Sequence, residues 1–150
     1  AHVASTEGIV AVENALGGKR RIDYSVVPSG IFTSPEIGSV GLREKDTAEK
    51  GYNINIGRFP FRALGKAHAS GEITGMVKVI ADAKDDKVLG VHIIGPHATD
   101  LIHEAALAMK MSATSKDIAH TIHAHPTFSE AIMEASEDVH GMAIHIPKKS

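Results

Sequence analysis

The sequence predicts an α+β fold in which an antiparallel β-sheet carries helices packed on one side. Two observations lead to this prediction. The apolar runs 76–81 and 88–94 flank a loop rich in Asp and Lys, which is typical of a β-hairpin. Short β-type runs fill much of the chain before residue 94, whereas the longest apolar helical pattern follows it. Strands followed by helices favour a layer of helices on an antiparallel sheet.

The other strands are predicted from short apolar runs bounded by turn signals. Residues 30–34 and 37–42 are β-type runs, and Ser34-Pro35-Glu36 between them is a turn signal. Residues 52–61 contain apolar side chains at spacings that suit a further strand. A connection rich in Gly and Ala then continues through Gly71.

Helices are predicted over 2–16, 43–50 and 97–111, and from 126 to about 139, with a short helical turn over 118–122. Gly17 and Gly51 follow the first two patterns and would end these helices. The loop 112–115 has capping potential toward Asp117. The 97–111 pattern is apolar over more than one narrow face, so we expect part of that helix to join a two-fold interface.

Composition excludes several classes of function. The chain has 150 residues, about one domain, and 16 Lys and Arg against 18 Asp and Glu give a net charge of −2. Nucleic acid and anionic membrane surfaces are therefore poor partners. No apolar stretch approaches the roughly 20 residues of a membrane span, so we expect a soluble intracellular protein. The absence of Met before Ala1 suggests a fragment of a larger protein.

The absence of cysteine limits the chemistry of this polypeptide. With no Cys in 150 residues, it cannot form a disulfide, use a thiolate or bind zinc through sulfur. No GxGxxG follows a predicted strand and no P-loop is present, so nucleotide-binding units are not expected within the chain.

The most informative motif is His123-Ala-His-Pro-Thr-Phe-Ser-Glu130. Pro126 favours the first position of a helix and an extended residue before it, so His125 should project from the helix entrance. Glu130 is close enough in sequence to hold one nitrogen of His125, fix its tautomer and raise its basicity. The other nitrogen could then accept a substrate proton.

The same motif has a purely structural interpretation. Thr127-x-x-Glu130 matches a capping box, in which the hydroxyl and carboxylate satisfy backbone N–H groups at a helix start. The spacing leaves this interpretation as open as the catalytic one, and both predict a helix that starts near residue 126. A metal site at His120, His123 and His125 is disfavoured because their spacing straddles the proline bend. No metal is expected.

Four sequence blocks resemble the C-terminal interface domain of the FAD-dependent pyridine nucleotide-disulfide oxidoreductases, most closely the dihydrolipoamide dehydrogenase branch. The His123-Ala-His125 doublet before Pro126 is similar to the lipoamide branch in particular. The blocks span about residues 26 to 136 and are the following: 27–28 with 32–36 and 40–41; 59–61 with 66–67; 89–96; and 123–127 with Glu130.

This resemblance implies a homodimer in which His125 of one chain faces the redox disulfide and flavin of the other. Glu130 would orient His125, and His123 would line the substrate channel. His125 would take a proton from the thiol of a dihydrolipoyl-bearing protein, whose electrons reach NAD through FAD. The expected location is the cytoplasm, or the mitochondrial matrix if the source is eukaryotic.

The resemblance also divides the chain. Residues 1–25 would be a remnant of the end of the FAD domain, with Ala1 and His2 as a residual FAD contact, and residues 26–150 would form the dimerisation domain. FAD and NAD belong to the full-length parent, and the isolated 150-residue chain is expected to bind neither and to be inactive. Two alternatives remain open: the interface domain of a glutathione reductase-like enzyme, or a non-catalytic dimerisation module.

Overall fold

A five-stranded antiparallel sheet forms the centre of the structure, a computed structural model that describes residues 1–148. The strand order is β1-β2-β5-β4-β3, and each neighbouring pair is antiparallel. The predicted hairpin is confirmed as β4 and β5, with Val79 opposite Val91. The strands are β1 (Ser29–Ile31), β2 (Ile37–Gly41), β3 (Ile54–Pro60), β4 (Met76–Asp82) and β5 (Val88–Ile94).

Within residues 1–148, six α-helices accompany the sheet, together with two short 3-10 turns at Tyr24–Val26 and Phe61–Ala63. The two helices α4 and α6 pack on one face of the sheet, α4 against β2 and β5 and α6 against β3 and β4. This arrangement confirms the α+β prediction. The helices are α1 (His2–Ala15), α2 (Glu44–Glu49), α3 (Gly65–Ser70), α4 (Ala98–Lys110), α5 (Ser115–Ala119) and α6 (Glu130–Asp138).

Two glycines on the covered face allow the helices to approach the strands closely. A Cβ built on Gly38 would lie 2.2 Å from the carbonyl oxygen of Ala98 in α4. A Cβ on Gly57 would lie 1.8 Å from the carbonyl oxygen of Ala135 in α6. Neither contact is possible for a residue with a side chain, so the absence of Cβ atoms sets the distance between the two layers.

The hydrophobic core lies between the sheet and α4 and α6. Side chains on alternate strand positions point toward the helices, as the period of two requires. Several apolar residues of the core are almost fully buried: Phe59, Phe61, Val77, Val79, Val91, Ile93, Ile102 and Ile132.

The opposite face of the sheet is more polar. The His92 ring is half-buried there and bonds to Ser39 Oγ at 2.7 Å and to the Leu42 carbonyl at 3.0 Å. Glu44 of α2 accepts hydrogen bonds from Lys78 Nζ at 2.7 Å and from Arg58 at 2.9 Å. His92 is therefore a satisfied sheet histidine and does not present a free ligand.

Three element predictions were wrong. The connection through Gly71 contains α3, whose own residue Ala67 is buried in the core, and Gly71, at φ +71°, ends this helix. The last helix begins at Glu130 and not at residue 126. The predicted turn over 118–122 lies earlier, as α5, because Thr114 and Asp117 form a capping box at its start.

Helix α1 packs on the rest of the chain through few contacts. Val10 is its one buried residue, and the Tyr24 hydroxyl donates a hydrogen bond to Glu7 at 2.8 Å. A cleft of about 640 Å³ separates α1 from β1 and α4. Within residues 1–148, no helix has the length and apolar character needed to cross a membrane.

Candidate active site

His125 lies in the turn between α5 and α6. The turn is held by Phe128, whose buried ring packs against Phe61 with centroids 5.5 Å apart and against the His97 ring at 5.3 Å. The His125–Pro126 peptide bond is cis. Phe128 is buried in the core and so anchors this turn, whereas His125 lies on the surface near the start of α6.

The structure brings His125 and Glu130 together, as the motif predicted. The Nδ1 atom of His125 lies 2.8 Å from Glu130 Oε1. A carboxylate can only accept, so Nδ1 carries the hydrogen and donates it. The tautomer of the neutral ring is therefore fixed with its lone pair on Nε2.

A backbone hydrogen bond fixes the Glu130 carboxylate in turn. Glu130 Oε2 accepts a hydrogen bond from the Thr127 backbone N–H at 2.8 Å. Burial acts to raise the pKa of the Glu130 carboxyl, but the Thr127 N–H, the His125 ring and the charge of His145 outweigh it. The pKa therefore lies below its ordinary value of 4.5, and Glu130 is ionised at neutral pH.

Only half of the predicted capping box is present. Glu130 accepts from the Thr127 backbone, as a capping box requires, but the Thr127 hydroxyl donates to the Ala124 carbonyl at 2.6 Å. Ser129, and not Thr127, precedes the first residue of α6, and its side chain makes no capping bond. Pro126 is likewise not the first helical residue. The prediction that Thr127 caps a helix that starts near 126 was wrong. Phe128 is buried in the turn before α6, and the helix begins two residues after it, at Glu130.

The two side chains differ sharply in exposure. The Glu130 side chain is 14% exposed, whereas that of His125 is 74% exposed. The ring rests beside Gly65, at whose position a Cβ would lie 3.8 Å from His125 Cε1. A fixed, largely buried carboxylate thus holds an imidazole whose free nitrogen is open to another molecule. This arrangement suits a general base.

His123 lies next to this pair but faces the protein. Its Nε2 atom is 2.7 Å from Glu104 Oε1 of α4, and its Nδ1 atom is 2.8 Å from the Thr121 carbonyl. The side chain is 5% exposed. Although burial opposes it, the hydrogen bond to Glu104 raises the pKa of His123 above 6.5, assisted by the Thr121 carbonyl and the charge of Glu130. This geometry favours a structural role, while the substrate-channel role stays a prediction.

A third His–Glu pair was not singled out from the sequence. His145, in the segment after α6, bonds through Nδ1 to the fully buried Glu134, which also accepts the backbone N–H of Ile144 at 2.9 Å. A glutamate among the apolar residues of α6 was the available signal, because a buried carboxylate needs partners. The pair ties the C-terminal segment to the helix that begins with Glu130.

Ala1 and His2 lie at the start of α1, remote in sequence from the other site residues. His2 is exposed, and its Nε2 atom lies 3.0 Å from the Pro28 carbonyl. Two exposed residues at a helix start do not by themselves form a nucleotide cradle, so the predicted residual FAD contact stays a prediction. Within residues 1–148, no three His, Asp or Glu side chains are arranged to hold a metal ion.

Comparison with known families gives the geometry its context. Residues 27–136 match the model of the pyridine nucleotide-disulphide oxidoreductase dimerisation domain. The chain belongs to this family. The matched range contains the five strands, α4, α5 and the His125–Glu130 pair, so the dimerisation domain includes the whole candidate site.

Several curated relatives of this dimerisation domain are dihydrolipoyl dehydrogenases. The Bacillus subtilis protein is 52% identical over 146 residues, which cover 97% of this chain and 31% of that protein. The Haloferax volcanii protein is 50% identical over 145 residues, covering 97% of the chain and 30% of the protein. A mitochondrial dihydrolipoyl dehydrogenase from Pisum sativum is 46% identical over 146 residues, which cover 97% of this chain and 29% of that protein. The chain thus spans about three tenths of their length.

A solved structure shows the same fold. LpdA from Mycobacterium tuberculosis superposes with a TM-score of 0.84 and 29% sequence identity, over 91% of this chain and 30% of that one. The flavoprotein disulfide reductase RclA from Escherichia coli superposes with a TM-score of 0.78 over 89% of this chain and 31% of its own, at 23% identity, and supports the fold alone.

Proposed function

We propose that this chain is the C-terminal domain of a dihydrolipoyl dehydrogenase. In this proposal residues 26–150 provide the contact between two subunits, and residues 1–25 are the end of the FAD domain. The start of the family match at residue 27 supports that boundary. High identity to dihydrolipoyl dehydrogenases from bacteria, archaea and plants supports the choice of substrate over a glutathione reductase-like alternative.

The observation that carries the proposal is the His125–Glu130 pair. Glu130 holds Nδ1 at 2.8 Å and the ring is 74% exposed, so Nε2 is free to take a proton from a molecule outside this chain. A dihydrolipoyl thiol that gives its proton to Nε2 becomes a thiolate, the species that attacks a disulfide. The ring becomes an imidazolium, which the ionised Glu130 stabilises.

The remaining parts of the reaction lie outside this cysteine-free chain. The thiolate would attack a disulfide of the partner subunit, forming a mixed disulfide and releasing one protein thiolate. FAD, when bound in the parent, supplies the redox step that links that disulfide to NAD. The chain itself contributes the base, its orientation and the subunit contact. The parent would be a homodimer acting on a lipoyl-bearing protein, in the cytoplasm or, for a eukaryotic source, in mitochondria, as in the pea relative's name.

An exchange chimera tests this function. In it, the chain replaces the matching 31% of the Bacillus subtilis dihydrolipoyl dehydrogenase. We expect the chimera to reduce NAD with dihydrolipoamide, and a His125→Gln variant to lose about 10²- to 10⁴-fold in kcat, the usual contribution of a general base. His120→Gln, an exposed histidine in the same segment, is the matched control and should retain full turnover.

The outcomes separate the alternatives. Turnover of the His125→Gln chimera equal to that of the control, with the dimer intact, would favour the non-catalytic module. Activity with glutathione in place of dihydrolipoamide would favour the glutathione reductase-like alternative.

A further inference from the structure

The His123 ring is enclosed by two groups that can only accept hydrogen bonds. Nε2 faces the Glu104 carboxylate at 2.7 Å, and Nδ1 faces the Thr121 carbonyl at 2.8 Å. A neutral imidazole has a single N–H and can satisfy only one of these acceptors. Both contacts are hydrogen bonds only if the ring carries two hydrogens, which makes it an imidazolium paired with a carboxylate.

The His123 side chain is buried although its neighbours in the sequence are exposed. The side chain is 5% exposed, whereas its neighbour Ile122 is 96% exposed and Ala124 is exposed as well. Glu104 belongs to α4, which packs firmly against β2 and β5. The ion pair therefore joins an otherwise surface-exposed segment to the rigid part of the fold.

The position of this link matters because His125 has little packing of its own. His125 is 74% exposed, so its location depends on the residues on either side of it. Three residues after His125, the Phe128 ring anchors the chain in the core. Two residues before His125, the His123 ring anchors the chain to α4 through Glu104. Two anchors that bracket an exposed catalytic ring are the arrangement expected of a preorganised site.

We infer that His123 and Glu104 form an imidazolium–carboxylate positioning pair that fixes the segment carrying His125 on α4, and that His123 does not bind substrate. The inference rests on the proposed function of His125. The charged groups that act on His123 are Glu104 from α4 and Glu130 from α6, both anionic. Both favour the imidazolium, in agreement with a pKa of His123 raised above 6.5.

The charge state can be tested without any enzymatic activity. In the 150-residue chain, ¹⁵N–¹H NMR of the His123 ring should show two protonated nitrogens at pH 6.5 and a titration midpoint above the ordinary 6.5. A Glu104→Gln variant keeps an oxygen acceptor but removes the charge, so the midpoint should fall. A single ring N–H at pH 6, or a midpoint unchanged by Glu104→Gln, would overturn the inference.

The positioning role is tested in the exchange chimera by a double-mutant cycle. His123→Gln and Glu104→Gln should each lower kcat by about tenfold or more, since small displacements of a catalytic group are costly, with KM for dihydrolipoamide nearly unchanged. The double variant should be no slower than the slower single variant, because both remove one link. His120→Gln again serves as the control.

A different pattern would assign His123 to the substrate. If His123→Gln raises KM while Glu104→Gln leaves KM and kcat unchanged, the ring contacts the ligand and the inference fails. If His123→Gln does not fold, the Glu104→Gln variant still decides through kcat and the NMR midpoint. An inactive chimera with this chain unaltered would count against the proposed function, whereas the NMR result judges the charged pair separately.

Discussion

Replacement of Gly57 by alanine should loosen both the fold and the catalytic pair. Gly57 lies in β3 where α6 crosses it, and a Cβ there would lie 1.8 Å from the Ala135 carbonyl oxygen and 2.6 Å from the Val139 nitrogen. Both obstacles are backbone atoms of α6 and its end, so no side-chain rotation can relieve the clash. The helix and the strand must move apart.

The required movement can be estimated from ordinary contact distances. A carbon atom and a carbonyl oxygen approach to about 3.3 Å, so relief requires a displacement of about 1.5 Å. Overfilled cores lose about 1–3 kcal/mol, and a clash with backbone belongs at the upper end. The free energy of unfolding of a domain is about 5–15 kcal/mol, so Gly57→Ala should remove about a fifth of it or more. Glu130 begins α6 and would move with it, and a shift of about 1 Å can cost about 10²-fold in turnover.

Urea denaturation of the 150-residue chain measures the loss of stability. Turnover of the exchange chimera measures the effect on the catalytic pair. Gly8→Ala is the matched control, because a Cβ at that position in α1 has nothing within 4 Å. It should be neutral or stabilising by up to about 1 kcal/mol. A Gly57→Ala variant within about 0.5 kcal/mol of the unaltered chain would refute the close packing of α6 on β3.

Two further predictions concern stability. Thr114→Ala removes the hydroxyl that accepts the Asp117 N–H at 3.1 Å, and should lower the free energy of unfolding by about 1 kcal/mol in urea denaturation; no change would mean that the cap is dispensable. The raised pKa of His123 should stabilise the chain fully below pH 6.5 and progressively less as the pH rises through the folded-state value. Relative to His123→Gln, the unaltered chain should therefore be most stable near pH 6, and an advantage that grows toward pH 9 would contradict this.

The sheet was predictable because its signals are local. The apolar runs of β4 and β5 and the loop between them specify a hairpin before any tertiary contact is known, and the structure pairs the two strands in antiparallel orientation. The position of α4 followed from its apolar pattern, and its predicted ends were wrong by a single residue each.

The start of α6 was not predictable from the same kind of signal. The pattern Pro126-Thr-x-x-Glu130 indicates a helix start, but Phe128 is drawn into a pocket formed by Phe61 and His97, which are distant in sequence. Burial of one aromatic ring outweighs the local preference of proline for the first helical turn.

The candidate site was predictable only in part. His125 and Glu130 are five residues apart, so their contact could be inferred from spacing, and the structure places them 2.8 Å apart. Glu104 lies 19 residues before His123, on a helix whose orientation depends on the whole fold, so its pairing needed coordinates. The same applies to Glu134 and His145, which are brought together by the path of the chain after α6.

Complementation between two inactive chimeras tests the central claim most directly, namely that His125 acts as a base across the subunit boundary. One chimera carries His125→Gln and an intact redox disulfide, and the other carries the intact domain and serines in place of the redox cysteines. Random reassociation gives about half heterodimers, each with one complete site if His125 acts on its partner, so about a quarter of full turnover should return. No recovery, with heterodimers demonstrated by mass, would contradict the account.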